Sequence, residues 1–266
     1  MGFVVKNTTK WGLLDIVCPH TCMGCGQLGA VLCGCCKKNI MQKRSGVCPI
    51  CKCSVAETAE KVGNIGSIKQ GYSCKHPECE SVFEEIWTYG WREGVVKDLI
   101  SKYKYQSMRA AGAELVEIFD EILPKDLVGP EIVVVPLPTI GKHVRERGLD
   151  HTQWMARKLA KRRGWKCRRM LERAADTVQV GAKMGEREQQ AKKAYRVVGK
   201  VQKECRYILL DDVWTTGATM ISAGQILREA GAEHLNAVVL AVSKPKTASE
   251  EAVGADVTGV AGAAED

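Results

Sequence analysis

The residues best placed to do chemistry lie in the stretch Ile208-Leu209-Leu210-Asp211-Asp212-Val213-Trp214-Thr215-Thr216-Gly217-Ala218-Thr219. An apolar strand delivers two carboxylates to its carboxyl end. A hydroxyl-rich turn with Gly217 then opens a helix, which gathers unpaired backbone N–H groups and threonine hydroxyls around one point. Such a point suits a phosphate. Asp211 and Asp212 sit too close to the strand end to ligate it, but they can accept hydrogen bonds from sugar hydroxyls or oppose a cation growing on a sugar ring. The combination points to a sugar phosphate. The competing reading is an Asp-Asp turn that only caps a helix, since Asp and Thr are both favoured caps.

A second group of reactive side chains is the cysteines. Eleven of the 13 fall within residues 18–79, and the total is odd. With no export signal at Met1 to Trp11, metal explains them better than disulfides do. Cys22-x2-Cys25 is followed after seven residues by Cys33-x2-Cys36, and Cys48-x2-Cys51 is followed after a longer loop by Cys74-x4-Cys79. Each Cys-x2-Cys turn supplies two corners of a tetrahedron, so two turns close a four-sulfur Zn2+ site with no open position. Two structural zinc ions are expected, and His76 or Cys53 could replace one ligand of the second. Cys35 and Cys53 could also be free or redox-active thiols. Cys167 and Cys205 are expected to be small buried hydrophobes.

The elements that must position these groups follow from periodicity. From Val95 to Leu123 the residues Leu99, Ile100, Tyr103, Leu115, Val116, Ile118, Phe119 and Ile122 recur at helical spacing, and Pro124 stops the run, which reads as two helices. Glu131 to Val135 is a short β-branched strand closed by Pro136 and Pro138. Thr152 to Arg163 is a helix with Met155, Ala156, Leu159 and Ala160 on one face. Arg173 to Tyr195 is a polar excursion of low aliphatic content. Tyr207 to Leu210 is a strand, Gly217 to Ala230 a helix with Gly231 past its end, and Leu235 to Val242 a further strand. Strands separated by helices imply an α/β fold with a parallel sheet.

The chain has 266 residues, enough for one domain with an appendage or two modest domains. At 45% hydrophobic and 26% charged it is neither disordered nor fibrous overall. Its apolar runs fall far short of the ~20 residues of a bilayer span, so no membrane insertion and a cytoplasmic location are expected. The 39 basic and 31 acidic side chains leave a net +8, which favours polyanions. The excess is local: Lys142 to Arg173 holds 12 Lys or Arg against three acids, whereas only acids carry charge from Ala248 onward.

The stretch around Asp211 and Asp212 resembles the phosphoribosyl-diphosphate (PRPP) motif of type I phosphoribosyltransferases. From roughly Trp11 to Ser243 the chain resembles the ComF family, which joins a cysteine-rich double zinc ribbon to a phosphoribosyltransferase-like domain. The resemblance rests on the cysteine pairs, Tyr89-Gly90, Leu99-Ile100, Lys104-Tyr105, Val135 to Pro138, Arg147 to His151, and the PRPP turn. Arg173, Thr177, Gln179, Arg187 and Tyr195 follow the spacing of that family's flexible loop. The chain departs from the family at Leu149, Asp150 and His151, where Phe-Asn-Gln is common, and at Gln190.

The resemblance implies a zinc ribbon over residues 1–86 and a type I phosphoribosyltransferase-like parallel sheet flanked by helices over 87–243; the composition after Ser243 leads us to expect a disordered tail over 244–266. It implies that Asp211 and Asp212 are the catalytic pair on the ribose, and that Thr215, Thr216, Gly217, Ala218 and Thr219 hold the 5′-phosphate. Mg2+ with the diphosphate would lie at Leu137, Pro138 and Thr139. No basic residue stands in that loop, so Lys142 or Arg145 is expected to reach in. It further implies a role in uptake or processing of single-stranded DNA during natural transformation, beside a helicase-like partner, or transfer of ribose 5-phosphate from PRPP to a nitrogen acceptor. For single strands, the cations from Arg157 to Arg169 would track the backbone, with Trp154 or Trp165 stacking on bases.

Overall fold

The computed structural model describes residues 20–43, 47–52, 82–106, 108–127, 131–173 and 195–245. Cys53, Cys74, His76, Cys79, Thr177, Gln179, Arg187, Gln190 and all but the first two residues of the expected tail lie outside the described residues, as does the Lys142 side chain.

Ile132-Val133-Val134-Val135 has no polar face, and such a run is stable as a strand only when covered on both sides, the situation of a parallel sheet. It forms β2 (Ile132–Pro136), every residue of which is buried. Its neighbours are β6 (Arg206–Trp214) and the short β3 (Lys166–Cys167); beyond β6 come β7 (His234–Val242) and β1 (Ile86–Trp91). The five strands run in the order β1-β7-β6-β2-β3, and every pairing is parallel. This is the parallel α/β sheet that the alternation of elements predicts.

Alternate strand residues face opposite layers. Val134, Ile208, Leu210, Val238 and Leu240 share one core with α2 (Gly94–Gln106), α3 (Arg109–Ile122) and α5 (His151–Arg163). Val133, Val135, Tyr207, Leu209, Ala237 and Val239 share the other with α6 (Ala218–Glu229). Helix α1 (Gly34–Gln42) joins the first layer: Cys22, Val31 and Leu32 belong to that core, the Tyr89 hydroxyl donates to the Ile40 carbonyl at 2.9 Å, and Lys37 pairs with Glu114 at 2.7 Å and with Glu117. A short helix, α4 (Gly141–Arg147), follows β2, and β4 (Leu171–Arg173) pairs antiparallel with β5 (Tyr195–Val197) as a separate ribbon. No described helix is long and apolar enough to cross a membrane.

Two departures from the sequence reading matter for the site. Strand β1 is built from Ile86-Trp87-Thr88-Tyr89-Gly90-Trp91, where a glycine and three aromatics replace the aliphatic run that marks the other strands; its pairing along β7 from Ile86↔Ala237 to Trp91↔Val242 makes it a strand. Strand β6 runs four residues past Leu210, because pairing with β7 continues through Asp211↔Val239, Val213↔Ala241 and Trp214↔Val242. Asp211 and Asp212 are therefore strand residues, and adjacent strand residues point to opposite faces.

Candidate functional site

After β2 the chain passes through α4 and α5 to β3 on one side; after β6 it passes through α6 to β7 on the other. Adjacent parallel strands whose connections diverge leave a crevice at their carboxyl ends, the usual ligand position in open α/β sheets. A cleft of about 260 Å³ opens there, lined by Leu137, Pro138, Thr139 and Ile140 after β2, by Asp211, Asp212 and Thr219 from β6 and α6, by Lys104 from α2, by His151 and Thr152 from α5, and by Arg173 and Tyr195 from the β4–β5 ribbon.

The two carboxylates straddle the sheet. Asp212, 6% exposed, turns toward α2, where Lys104 meets its Oδ2 at 2.5 Å. Asp211 accepts from the Asp212 amide at 2.9 Å and lies on the face shared with Tyr195. Burial, then the Asp212 charge, push the Asp211 carboxyl up to about 8, against the pull of Lys104 and the Asp212 amide.

The turn after β6 is shaped by Trp214. Its indole is 1% exposed and lies under Gly217, where a Cβ would stand 2.5 Å from the ring, and Gly217 adopts φ 84. Both facts demand glycine. Thr215, Thr216 and Ala218 are exposed, and the Thr216 hydroxyl accepts from the Ala218 amide at 3.4 Å. Alanine at Gly217 is expected to lower stability by roughly 1–3 kcal/mol, read as a lower midpoint in thermal melts, and to weaken any ligand held by the turn.

The facing loop is held by one side chain. Asp150 Oδ1 accepts from the Gln153 amide at 3.0 Å, capping α5, and from the Thr139 hydroxyl at 3.2 Å. Next to it His151 is 1% exposed; its ring meets Tyr103 edge-on at 4.5 Å, and its carbonyl accepts from the Tyr103 hydroxyl at 3.2 Å.

The structure thus brings Leu137, Pro138, Thr139, Arg173, Asp211, Asp212 and Thr219 to one cleft; Thr215, Thr216, Gly217 and Ala218 lie in the turn that leads to Thr219 and are not among its lining residues. Lys104 is a basic residue that lines the cleft together with the 137–139 loop. The sequence reading looked for one at Lys142 or Arg145, close along the chain. Arg145 is exposed and does not line the cleft, whereas Lys104 comes from a helix 30 residues upstream. The available signal was Lys104 one position beyond the buried Tyr103, at the end of an amphipathic helix. His151, named only within the 147–151 motif, and Tyr195, named only for the flexible-loop spacing, also line the cleft; the Tyr195 hydroxyl is buried with no hydrogen-bond partner among the described residues.

The first cysteine set converges. The sulfurs of Cys22, Cys25, Cys33 and Cys36 all lie within 4.8 Å of one another, with Cys25 and Cys33 3.7 Å apart. Four sulfurs about 2.3 Å from a central zinc stand about 3.8 Å apart, so the group fits a tetrahedral ion. The Cys33 and Gly24 amides donate to Cys22 Sγ at 3.3 and 3.4 Å, and the Cys36 amide to Cys33 Sγ at 3.4 Å. Burial works against ionisation of Cys22, but amides of Cys33, Cys25 and Gly24 bring it down to about 6, while the Cys33 thiol and then burial push Cys36 up to about 12. A zinc ion at the centre would be held by the four sulfurs as thiolates. Of the second set, Cys48 and Cys51 share a turn closed by the Lys52 amide on the Cys48 carbonyl at 2.9 Å. Cys205 is buried, as expected, but Cys167 is only half-buried because β3 is an edge strand.

Half of the cations in the basic segment are paired within the fold. Arg163 binds Asp120 and the Pro124 carbonyl, Arg162 meets Asp120 at 2.9 Å, and Lys166 and Arg168 pair with Glu131. Trp154 and Trp165 are half-buried, with Lys158 and Arg163 over their rings at 5.5 and 5.2 Å. Arg157, Lys158, Lys161 and Arg169 remain exposed.

No protein-family model matches the chain, and no curated protein matches it. Among solved structures it is similar to an orotate phosphoribosyltransferase from Aeropyrum pernix, at 20% identity and a TM-score of 0.34 over 56% of this chain and 69% of that one. It is also similar to the glutamine PRPP amidotransferase from B. subtilis complexed with ADP and GMP, at 19% and 0.36 over 52% of this chain and 30% of that one. A hypoxanthine phosphoribosyltransferase from Staphylococcus aureus gives 16% and 0.32 over 50% and 65%. The chain spans less than two thirds of the length of the last two.

Proposed function

We propose that the cleft binds PRPP, or a related phosphoribosyl compound, and that the chain is a ComF-type protein with a zinc ribbon over residues 1–86 and a ligand-binding domain over 87–243. One observation carries this reading: two carboxylates and Thr219, which follows a glycine-hinged, hydroxyl-rich turn, line one cleft with the 137–139 loop at the divergence of β2 and β6. Thr215 to Thr219 take the 5′-phosphate, and Asp211 and Asp212 take the ribose hydroxyls. The loop at Leu137, Pro138 and Thr139 takes the diphosphate, with Lys104 and Arg173 as its cations. The cleft offers carboxylate and hydroxyl oxygens and no thiol, a donor set suited to Mg2+. Asp211 and Thr139 would hold that ion, which when bound supplies positive charge to the leaving group.

Calorimetry with PRPP and Mg2+ is expected to give saturable binding to the wild-type protein, lost when Asp211 and Asp212 are both alanine. No heat from the wild type would refute the reading.

A second reading, transfer to a nitrogen acceptor, is favoured by His151 and Tyr195, two ring side chains that line the cleft beside the carboxylates. In that reaction the bond from ribose C1 to diphosphate oxygen breaks, a C1–N bond forms, and the acceptor nitrogen gives up a proton. The carboxylates lower the barrier by facing the charge that develops on the ring. The ComF resemblance extends the proposal to single-stranded DNA in the cytoplasm and a helicase-like partner. The exposed Arg157, Lys158, Lys161 and Arg169 are the cations left to serve it.

A further inference from the structure

The turn that carries Cys48 and Cys51 reaches the candidate phosphate turn by two routes. Lys52 Nζ donates to the Thr215 carbonyl at 3.1 Å. Beneath that contact Val47, 2% exposed, shares an apolar cluster with Trp214 and Met220, the residues that flank the turn, and Ile50 packs against the same cluster. Lys52 stands at φ 63, the one non-glycine among the described residues with positive φ. Such a conformation persists only where its surroundings hold it, and here the Cys48 carbonyl and the Thr215 carbonyl both do.

A peptide group is planar, with its C=O and N–H on opposite sides. Fixing the Thr215 carbonyl toward Lys52 therefore fixes the Thr216 N–H away from it. We propose that Lys52 is a positioning residue for the phosphate turn: it sets the Thr215–Thr216 peptide to receive a sugar 5′-phosphate and places a positive charge behind it. The inference rests on the reading of the cleft as a PRPP site, and it assigns the turn of the second cysteine pair a part in ligand binding.

The test uses the full chain as wild type, Lys52→Met and Lys52→Arg, titrated calorimetrically with PRPP plus Mg2+ and separately with magnesium diphosphate. Lys52→Met is expected to bind PRPP about tenfold more weakly, the loss typical of one charged hydrogen bond, and Lys52→Arg to recover to within about threefold of wild type because it restores charge and donor. Magnesium diphosphate, which lacks the 5′-phosphate, is expected to bind wild type and Lys52→Met alike. Equal PRPP affinity in wild type and Lys52→Met overturns the proposal, as does Lys52→Arg no better than Lys52→Met, or a parallel loss for diphosphate. Wild type that fails to bind PRPP overturns the reading of the cleft itself.

Discussion

Stripping zinc from the protein is expected to release the segment 20–43 from the rest of the chain. That segment buries little of its own: α1 contains no fully buried residue, and the segment gives the main core three buried residues, Cys22, Val31 and Leu32, with Met23, Ile40 and Met41 only partly buried against it. What shapes it is the convergence of four sulfurs. Metal binding to a site that does not exist in the unfolded chain is folding energy, of about 10 kcal/mol or more for structural zinc. Elemental analysis should give close to two zinc per chain, one for each cysteine set. A strong chelator should then lower the melting temperature and expose the 20–43 amides to hydrogen exchange, while β6 and β7 stay protected.

The same centre can be attacked without touching a ligand. A Cβ on Gly24 would lie 2.6 Å from Cys36 Sγ, so Gly24→Ala must push that sulfur out of place, and the variant should lose about one zinc. Full retention of both ions in Gly24→Ala, or a chelator that leaves exchange unchanged, would show that the thiols do other work.

The second large effect concerns Asp211. Its carboxyl is pushed up to about 8 by burial and by Asp212, whereas in the unfolded chain it ionises near 3.9, the ordinary value. The folded protein therefore binds this proton more tightly. Stability from this group is complete below about pH 4, is lost progressively as the pH rises, and levels off above about 8. Asparagine has no proton to lose, so Asp211→Asn should match the wild type near pH 4 and exceed it increasingly up to about pH 8. Asp211 is only partly buried, which cuts the full linkage value by more than half. The gain should be about 2 kcal/mol, or roughly 4–8 °C in Tm. The variant should bind PRPP poorly, so stability and binding move in opposite directions, as expected of a carboxylate kept for its ligand. A pH-independent difference between the two proteins would remove the argument.

Much of this was legible in the sequence. The β-branched run at 132–135, the periodic runs of α2, α3 and α5, and the glycine-hinged turn after β6 are local patterns, and each became the element its pattern called for. The four sulfurs at 22–36 converge because short spacings leave the chain few other ways to fold. Strand β1 was hidden because its aromatics and Gly90 take their order from β7, about 150 residues away. Lys104 was hidden for the same reason: its partner is Asp212, and nothing near residue 104 announces a carboxylate. The pairing of Arg162 and Arg163 is a third case, since Asp120 lies on a different helix from the arginines it binds.

Strand β6 sits inside the sheet with a hydrogen-bonded neighbour on each flank, and its two acidic side chains leave by opposite faces. One extra residue ahead of Asp211 would turn every later side chain through half a rotation and hand the partner of Lys104 to the wrong layer. Evolution can therefore exchange side chains along this strand but cannot change its length.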